Sequence, residues 1–357
     1  MKVLKFGGTS VGSVESIRQI QHIIGQQTDD CIVVVSALGG ITDQLLKAAH
    51  LALEAGEEYM EVYQAIRCRH MDMVNTLITN PTTRQMLCLE LEGILDELRS
   101  ILFGVHLVKD LSDKTEAAIV SYGERMSSRI VTAALPGAVR KNSLQFIRTE
   151  HKQGQILLNT ELTEQLIHHA FSPMPHLSVV PGFISSDKNT GRVTNLGRGG
   201  SDYTAAVIAA MLDASILEIW TDVDGFMTAD PKVISGAYAI DELSYVEAME
   251  LCNFGAKVVY PPTIYPAFHK SIPILIKNTF NPAAPGTVIR ERLSDNTKPI
   301  KYVNITGIGS YNFRGSDWYI ILNVDNAAFN MANVASLAAT GITVDGAATS
   351  GWIQKST

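Results

Sequence analysis

The first stretch with the residue types for chemistry is Lys5-Phe6-Gly7-Gly8-Thr9-Ser10, a lysine followed by paired glycines and two hydroxyl residues. It ends the first hydrophobic run and leads into a helical pattern that starts near Ser13. Glycine amides, hydroxyls and an ammonium group at the mouth of a helix suit phosphate. The Walker A loop is excluded, because Ser13 stands where its lysine should follow Gly12. A plain strand-to-helix connection is the competing interpretation.

A second candidate site is the glycine-rich stretch Asn195-Leu-Gly-Arg-Gly-Gly-Ser-Asp-Tyr-Thr204. Its glycines permit close backbone approach, and Arg198 offers a planar fork for a carboxylate. Ser201 or Asp202 can cap the apolar helix that we predict from Ala205 to Leu212. A simple turn into a helix would not need an arginine between glycines, so the stretch predicts an anion site.

Two polar side chains near predicted helix starts have both a structural and a chemical interpretation. Thr42 is expected to cap a helix from Gln44 to Leu53. Glu124 lies in a helix that we predict to open at Ser121 and to continue to Leu135, where a first-turn glutamate is stabilised by the helix dipole. A carboxylate is also what the amino group of a ligand needs.

The loop Thr221-Asp222-Val223-Asp224-Gly225 follows a predicted strand, Ser215–Trp220, and open α/β sheets bind ligands at such strand ends. The two aspartates could form a metal pair, but an acidic turn that closes on glycine is the commoner cause of this pattern. Lys257 follows a helix predicted from Ser244 to Leu251, and a lysine in that setting is normally only solvated.

The elements that must position these residues indicate an α/β fold. Cys31–Ser36 is a β-branched run that follows the first helix at the spacing of a βαβ unit, so the central sheet should be mainly parallel and sandwiched by helices. The region 57–103 is helical, with a break at Asn80-Pro81, and is interpreted as an insertion or lid. Further strands are predicted at Leu144–Ile147, Leu177–Ile184 and Ile272–Lys277.

Composition excludes several classes of function. The 357 residues are 46% hydrophobic, enough for one large core or two domains. A net charge of -7 and no basic cluster argue against nucleic acid. No apolar run reaches the roughly 18 residues of a membrane span, and Met1-Lys2 leads directly into a strand without a signal peptide. Four scattered cysteines predict neither a zinc site nor disulfides, so a cytoplasmic location is expected.

Four of these strings together resemble the aspartokinases of the amino-acid kinase superfamily: 5–10, 121–125, 195–204 and 254–258. The resemblance covers about residues 1–292. It implies ATP-dependent phosphorylation of the β-carboxylate of L-aspartate, the first step towards lysine, threonine and methionine. It also implies a homo-oligomer, and Mg²⁺ that bridges the ATP phosphates without a directly assigned protein ligand.

The resemblance further implies roles for individual residues. The catalytic residues would be Lys5, Asp202 and Lys257. The aspartate substrate would contact Thr42, Glu124, Arg198 and Ser201, with Glu124 on its ammonium group and Arg198 on its α-carboxylate. ATP would contact Lys5, Gly7, Gly8, Thr9, Ser10, Thr221, Asp222, Met227, Lys232, Lys257 and Val258.

Four positions depart from the family pattern. Many members have a tyrosine at Met227 and an arginine at Lys232, and a histidine and an arginine are common at Tyr260 and Pro262. Two other functions stay open, and the departures favour the first of them. One is a non-catalytic amino-acid sensor, and the other is a related kinase that acts on another acidic substrate.

The composition changes near residue 293. Strands predicted at Val303–Ile308, Trp318–Val324 and Ile342–Val344, with an Ala-rich helix at Ala327–Ala339, resemble the beginning of an ACT regulatory domain. We therefore divide the chain into a catalytic domain, 1–292, and a partial ACT-like segment, 293–357, with threonine or lysine as the implied effector. The paired ACT domains of aspartokinases would not fit, so the chain is expected to be part of a longer protein. It looks most like the kinase half of bifunctional aspartokinase–homoserine dehydrogenases, but no G-x-G-x-x-G fingerprint predicts a dehydrogenase.

Overall fold

The computed structural model describes residues 1–152, 154–228, 236–253, 256 and 258–291, and the backbone of four strands after residue 299. The strands are β1 Lys2–Phe6, β2 Cys31–Val35, β3 Val139–Arg140, β4 Arg148–Lys152, β5 Gln155–Leu158, β6 Leu177–Pro181, β7 Ile184–Asp187, β8 Val193–Asn195, β9 Ile216–Thr221, β10 Glu242–Ser244, β11 Ile274–Asn278, β12 Thr287–Arg290, β13 Ile300–Ile305, β14 Tyr319–Val324, β15 Ile342–Val344 and β16 Trp352–Lys355. The α-helices are α1 Val14–Gly25, α2 Ile41–Leu51, α3 Glu58–Leu77, α4 Pro81–Val108, α5 Asp113–Ala134, α6 Thr160–Ala170, α7 Gly200–Met211, α8 Tyr245–Asn253 and α9 Tyr265–His269.

The centre of the fold is an eight-stranded sheet with the order β10-β12-β11-β9-β1-β2-β6-β3. All its pairs are parallel except β11 with β12. The prediction of a mainly parallel α/β sheet is therefore confirmed. Because β11, β9, β1, β2 and β6 run in the same direction, the loops that follow them meet at one edge of the sheet.

Successive side chains along β1 point alternately into two apolar cores. Leu4 and Phe6 point into the core shared with α1 to α5, where the Phe6 and Trp220 rings stack with centroids 5.8 Å apart. Val3 and Ile219 belong to the other core, which lies beneath α6 to α9. Since Lys5 is two residues from Val3, it projects to the α7 side. The helical region 57–103 contributes to the first core, so it is an insertion that packs into the domain and not a lid.

Two strand predictions near a small second sheet, with the order β5-β4-β7-β8, were wrong. Leu144–Ile147 was expected to be a strand, but Ser143–Gln145 is a 3₁₀ helix. The predicted strand Leu177–Ile184 is divided between the two sheets, because the chain turns at Phe183, whose φ is +64°. The available signal was the Pro181-Gly182 pair inside this run, because such a dipeptide usually marks a turn.

The C-terminal strands form a separate four-stranded sheet with the order β13-β14-β16-β15. Predicted strands near Val303, Tyr319 and Ile342 are confirmed, the first with earlier bounds, and β16 was not predicted. The predicted helix Ala327–Ala339 lies outside the described residues. The domain boundary at residue 292 and the ACT-like assignment stay predictions. Within the described part of the chain, no helix has the length and apolar character to cross a membrane.

Candidate active site

The structure joins two of the predicted catalytic residues. Lys5, on β1, and Asp202, in the first turn of α7, form an ion pair with 2.6 Å between Nζ and Oδ1. The two side chains are only 11% and 12% exposed. A carboxylate in the first turn is also stabilised by the helix dipole, so α7 holds the aspartate that in turn holds the lysine. A buried ammonium group is thereby fixed near the edge of the sheet at which α/β proteins generally bind ligands.

The glycine loop after β1 packs tightly against its neighbours. The Gly7 N–H donates to the Trp220 carbonyl over 3.2 Å, and the Ser10 hydroxyl lies 2.7 Å from that of Thr279. An added Cβ at Gly8 would lie 3.3 Å from the Ala37 carbonyl oxygen. The Gly7 amide, which was expected to be free for a phosphate, is therefore already bonded, because the pairing of β1 with β9 continues through it. Ser10 is buried and anchors the loop, whereas Thr9 is exposed.

Glu124 is a buried carboxylate with one unsatisfied oxygen. Its Oε1 accepts a hydrogen bond from the Ala37 N–H over 3.1 Å, while Oε2 has no partner among the described residues. Burial raises the pKa of this carboxyl to about 8, although the Ala37 bond and the charge of Lys5 oppose the shift. An unpaired buried acceptor is costly, so this oxygen is suited to a donor supplied by a ligand.

The helix-dipole explanation of Glu124 is wrong. Helix α5 begins at Asp113 with Ser112 as its N-cap, so Glu124 lies in the helix interior. The sequence-based start at Ser121 was too late because the polar first turns of α5 do not show the apolar spacing of a buried helix.

Gly123 allows α5 to approach the loop after β2. A Cβ added at Gly123 would lie 2.6 Å from the Ala37 Cβ, closer than real Cβ atoms come. Since Ala37 donates to Glu124, the two elements must keep this contact for the carboxylate to stay in place. Glycine at 123 is therefore a requirement of the site.

We expect Gly123→Ala to lower the melting temperature and to raise the KM for the ligand bound by Glu124, because the added methyl group must displace Ala37. Gly104→Ala is the matched control, since Gly104 is also in a helix and an added Cβ there meets nothing within 4 Å. The control should gain up to about 1 kcal/mol of stability from better helix propensity. Differential scanning calorimetry compares the two variants. Equal effects of both would contradict the close-contact explanation.

Glycines, not polar side chains, precede the two site helices. Helix α7 begins at Gly200 after Gly199, which has φ +70°, so neither Ser201 nor Asp202 is the N-cap. Likewise α2 begins at Ile41 after Gly40, with φ +79°, and Thr42 is already inside the helix. The capping predictions were wrong because positive-φ glycines end the preceding turns and carry no side-chain acceptor.

The other predicted substrate residues lie at the same edge of the sheet. Ser201 is buried against the end of β6, where a Cβ at Gly182 would lie 2.7 Å from the Ser201 Cβ. Arg198 is exposed, with its guanidinium carbon 5.8 Å from the ring centroid of Tyr260. A cavity of about 660 Å³ brings together Arg198, Asp202, Val258 and Tyr260.

The loop after β9 lies next to β11 and carries the predicted nucleotide contacts. The Thr221 hydroxyl donates to Asp222 over 3.2 Å, whereas Asp224 accepts from the side-chain amides of Asn278 and Asn281 at 2.8 and 3.2 Å. The separate partners favour the acidic-turn interpretation over a metal pair. No group of three metal-binding side chains occurs within the described residues.

Lys277, which the sequence reasoning did not single out, is a cation near this loop. It lies at the carboxyl end of β11, with Nζ 5.6 Å from the Trp220 ring centroid and a hydrogen bond to the Ala284 carbonyl. Met227 pairs with Ala239 in a short antiparallel bridge. Lys232 and Lys257 lie outside the described residues, so their roles stay predictions.

Comparison with known proteins identifies relatives of this architecture. The Amino acid kinase family matches residues 1–278. Chloroplastic aspartokinase 1 of Arabidopsis thaliana is 34% identical over 84% of this chain and 53% of its own length. The bifunctional aspartokinase/homoserine dehydrogenase of Buchnera aphidicola is 34% identical over 93% of this chain and 42% of its own length. The chain thus spans about half the length of the curated relatives that it matches.

The solved structures that this chain resembles include aspartokinases as well. E. coli aspartokinase III in complex with lysine and aspartate has a TM-score of 0.76 and 30% identity, over 99% of this chain and 78% of that chain. The same enzyme in complex with aspartate and ADP has a TM-score of 0.76 and 29% identity, over 100% of this chain and 79% of that chain.

Proposed function

This chain belongs to the amino acid kinase family, among the aspartokinases, and we propose that it transfers the γ-phosphoryl group of ATP to the β-carboxylate of L-aspartate, giving 4-phospho-L-aspartate. The observation that carries the proposal is the buried Lys5–Asp202 ion pair beside the loop after β1. The carboxyl of Glu124, with its unsatisfied oxygen, is close enough to Lys5 for the charge of the lysine to affect its pKa. The known complex of a relative, E. coli aspartokinase III, with aspartate and ADP supports this choice of substrates.

The reaction requires positioning and charge neutralisation. The side-chain carboxyl of aspartate has a reference pKa of about 3.9, so the nucleophile is ionised near neutral pH and no general base is needed. Lys5 neutralises charge on the transferred phosphoryl group, and Asp202 fixes the direction of that ammonium. Lys257 is the second proposed cation. Mg²⁺, carried by the phosphate oxygens of ATP, would add further neutralisation.

Recognition of the amino acid uses charges of opposite sign. Glu124 offers its free oxygen to the α-ammonium group, and Arg198 offers two parallel N–H donors to the α-carboxylate. Thr42 and Ser201 supply hydroxyl groups at the same edge. Thr221, Asp222, Met227, Lys232 and Val258 are the proposed contacts of the nucleotide, together with the loop after β1.

An ADP-release assay with aspartate, glutamate or no acceptor tests the proposal. We expect ADP release that depends on aspartate, with kcat/KM at least 100-fold above that for glutamate, and a hydroxamate after addition of hydroxylamine, which traps acyl phosphates. Equal turnover of glutamate would favour a kinase for another acid. Binding of threonine or lysine without ADP release would favour the non-catalytic sensor. Lysine or threonine as effector, and assembly into a homo-oligomer, are part of the same proposal.

A further inference from the structure

A second cavity, of about 630 Å³, is lined in part by Arg198 but not by Lys5 or Asp202, and the proposed reaction does not use it. It lies between the edge strand β5, helices α6 and α7, the loop before α7 and the segment 260–270. We call it the outer cavity. Its wall is largely apolar, with contributions from Leu157, Leu158, Val207, Met211, Pro262 and Tyr265.

Large apolar side chains are exposed at this wall. Leu157 is 43% exposed on β5, and Tyr265 is 48% exposed at the start of α9. Exposed apolar groups that converge on a concave surface are the usual lining of a small-molecule site, and the volume is within the range of such sites.

Two cationic side chains, Arg198 and Lys270, line the outer cavity, and they differ in their ion pairs. Arg198 lines it and forms no ion pair within the described residues. Lys270 also lines it but is paired with Asp213 at 3.0 Å. Glu164 is the acidic group of the lining, on α6. Arg198 therefore favours a ligand with a carboxylate or sulfonate at one end of an apolar body.

The outer cavity shares a wall with the candidate active site. Arg198 and Tyr260 line both the outer cavity and the 660 Å³ cavity that contains Asp202. Tyr260 is in tight contact with the loop that carries Arg198, because a Cβ at Gly199 would lie 2.6 Å from the Tyr260 Cβ. The Tyr260 carbonyl accepts from both the amide and the hydroxyl of Thr263, so its backbone is held. A ligand in the outer cavity would act on Arg198 directly.

We propose that the outer cavity is a binding site for a small aromatic or branched apolar molecule with one anionic group, and that its occupation withdraws Arg198 from the α-carboxylate of aspartate. The second half of this statement rests on the proposed function, whereas the first does not. Such a ligand raises the KM for aspartate and leaves the KM for ATP unchanged.

The test uses 8-anilino-1-naphthalenesulfonate, which has an aromatic body and one sulfonate, as a fluorescent probe of the full chain. We expect saturable binding of one probe per chain. Leu157→Glu, which places a negative charge at the opening, should weaken binding at least tenfold. Leu89→Glu is the matched control, because Leu89 is 68% exposed on α4 and should leave binding unchanged.

Three results overturn the site: no saturable binding, equal loss in both leucine variants, or a change of sedimentation coefficient in Leu157→Glu, which would make this face an interface between copies. A second arm measures probe affinity with saturating aspartate, which should weaken it about tenfold. If the site is present but aspartate has no effect, the coupling through Arg198 is wrong. Absence of aspartate turnover would instead contradict the proposed function and leave the binding result standing.

Discussion

Lys5→Ala should reduce kcat by roughly 10³-fold, the loss typical of removing one group that stabilises transition-state charge. The ammonium group of Lys5 is buried and fixed by Asp202 at 2.6 Å, so no flexible surface lysine can replace it. The measurement is steady-state ADP release at saturating ATP and aspartate. Lys270→Ala is the control, because that lysine is also in an ion pair with an aspartate but is 48% exposed. The control should keep its kcat.

Folding and catalysis can be separated at Lys5. The single variant leaves Asp202 as a buried charge without its partner, which should cost about 3 kcal/mol of unfolding free energy. Adding Asp202→Asn removes that charge and should restore stability without restoring turnover. If activity returns together with stability in the double variant, Lys5 has only a structural role.

Glu124→Gln should raise the KM for aspartate about a hundredfold, because the buried carboxylate that would pair with the α-ammonium group is removed. In the wild type, kcat/KM for aspartate should increase about tenfold per pH unit from pH 6 towards 8. The reason is that burial raises the pKa of Glu124 in the free site to about 8, whereas binding of the ammonium group requires the ionised carboxylate. The pH–rate profile of the glutamine variant should lack this slope. A slope that persists there would assign the titration to another group.

The same substitution should increase stability at pH 7 to 8. Between the ordinary carboxyl pKa of 4.5 and the folded value of about 8, the unfolded chain releases the proton of Glu124 and the folded chain retains it. The stabilising contribution of this group is therefore complete below pH 4.5 and is lost as the pH rises to 8. Glutamine has no such loss. At pH 8 the variant should therefore melt a few degrees above wild type, and at pH 4.5 the two melting temperatures should be equal.

Glu116→Gln is the control for both measurements. Glu116 is in the same helix, but its side chain is 39% exposed beside His50. Neither the KM for aspartate nor the pH profile should change in this variant. A higher melting temperature in Glu116→Gln equal to that in Glu124→Gln would show that burial of the carboxylate is not the cause.

The positions of the helix starts show where sequence reasoning was weakest. The patterns around Thr42, Glu124 and Ser201 each predicted a polar residue at or near a helix N-terminus. In the structure, glycines precede α2 and α7, and α5 begins well before Glu124. Local hydrogen-bonding preference favours polar caps, but the turns at Gly40 and Gly199 require positive φ, which only glycine adopts without strain.

Some features were determined by the sequence alone. Runs such as Cys31–Val35 are apolar on both faces, and that composition is stable only inside a covered parallel sheet, so the fold class followed from local pattern. The lysine before Gly7-Gly8 and the arginine among the glycines near 198 identified the loops with ligand chemistry because their residue types are unusual for plain turns.

Tertiary structure alone decided which groups meet. Lys5 and Asp202 are 197 positions apart in the sequence, and their contact depends on the alternation that turns Lys5 towards α7 and on the packing of α7 over β1. Burial of Glu124, and hence its raised pKa, likewise depends on the contact of α5 with the loop at Ala37. Distance, desolvation and cavity shape are properties of packed elements, so a one-dimensional pattern does not contain them.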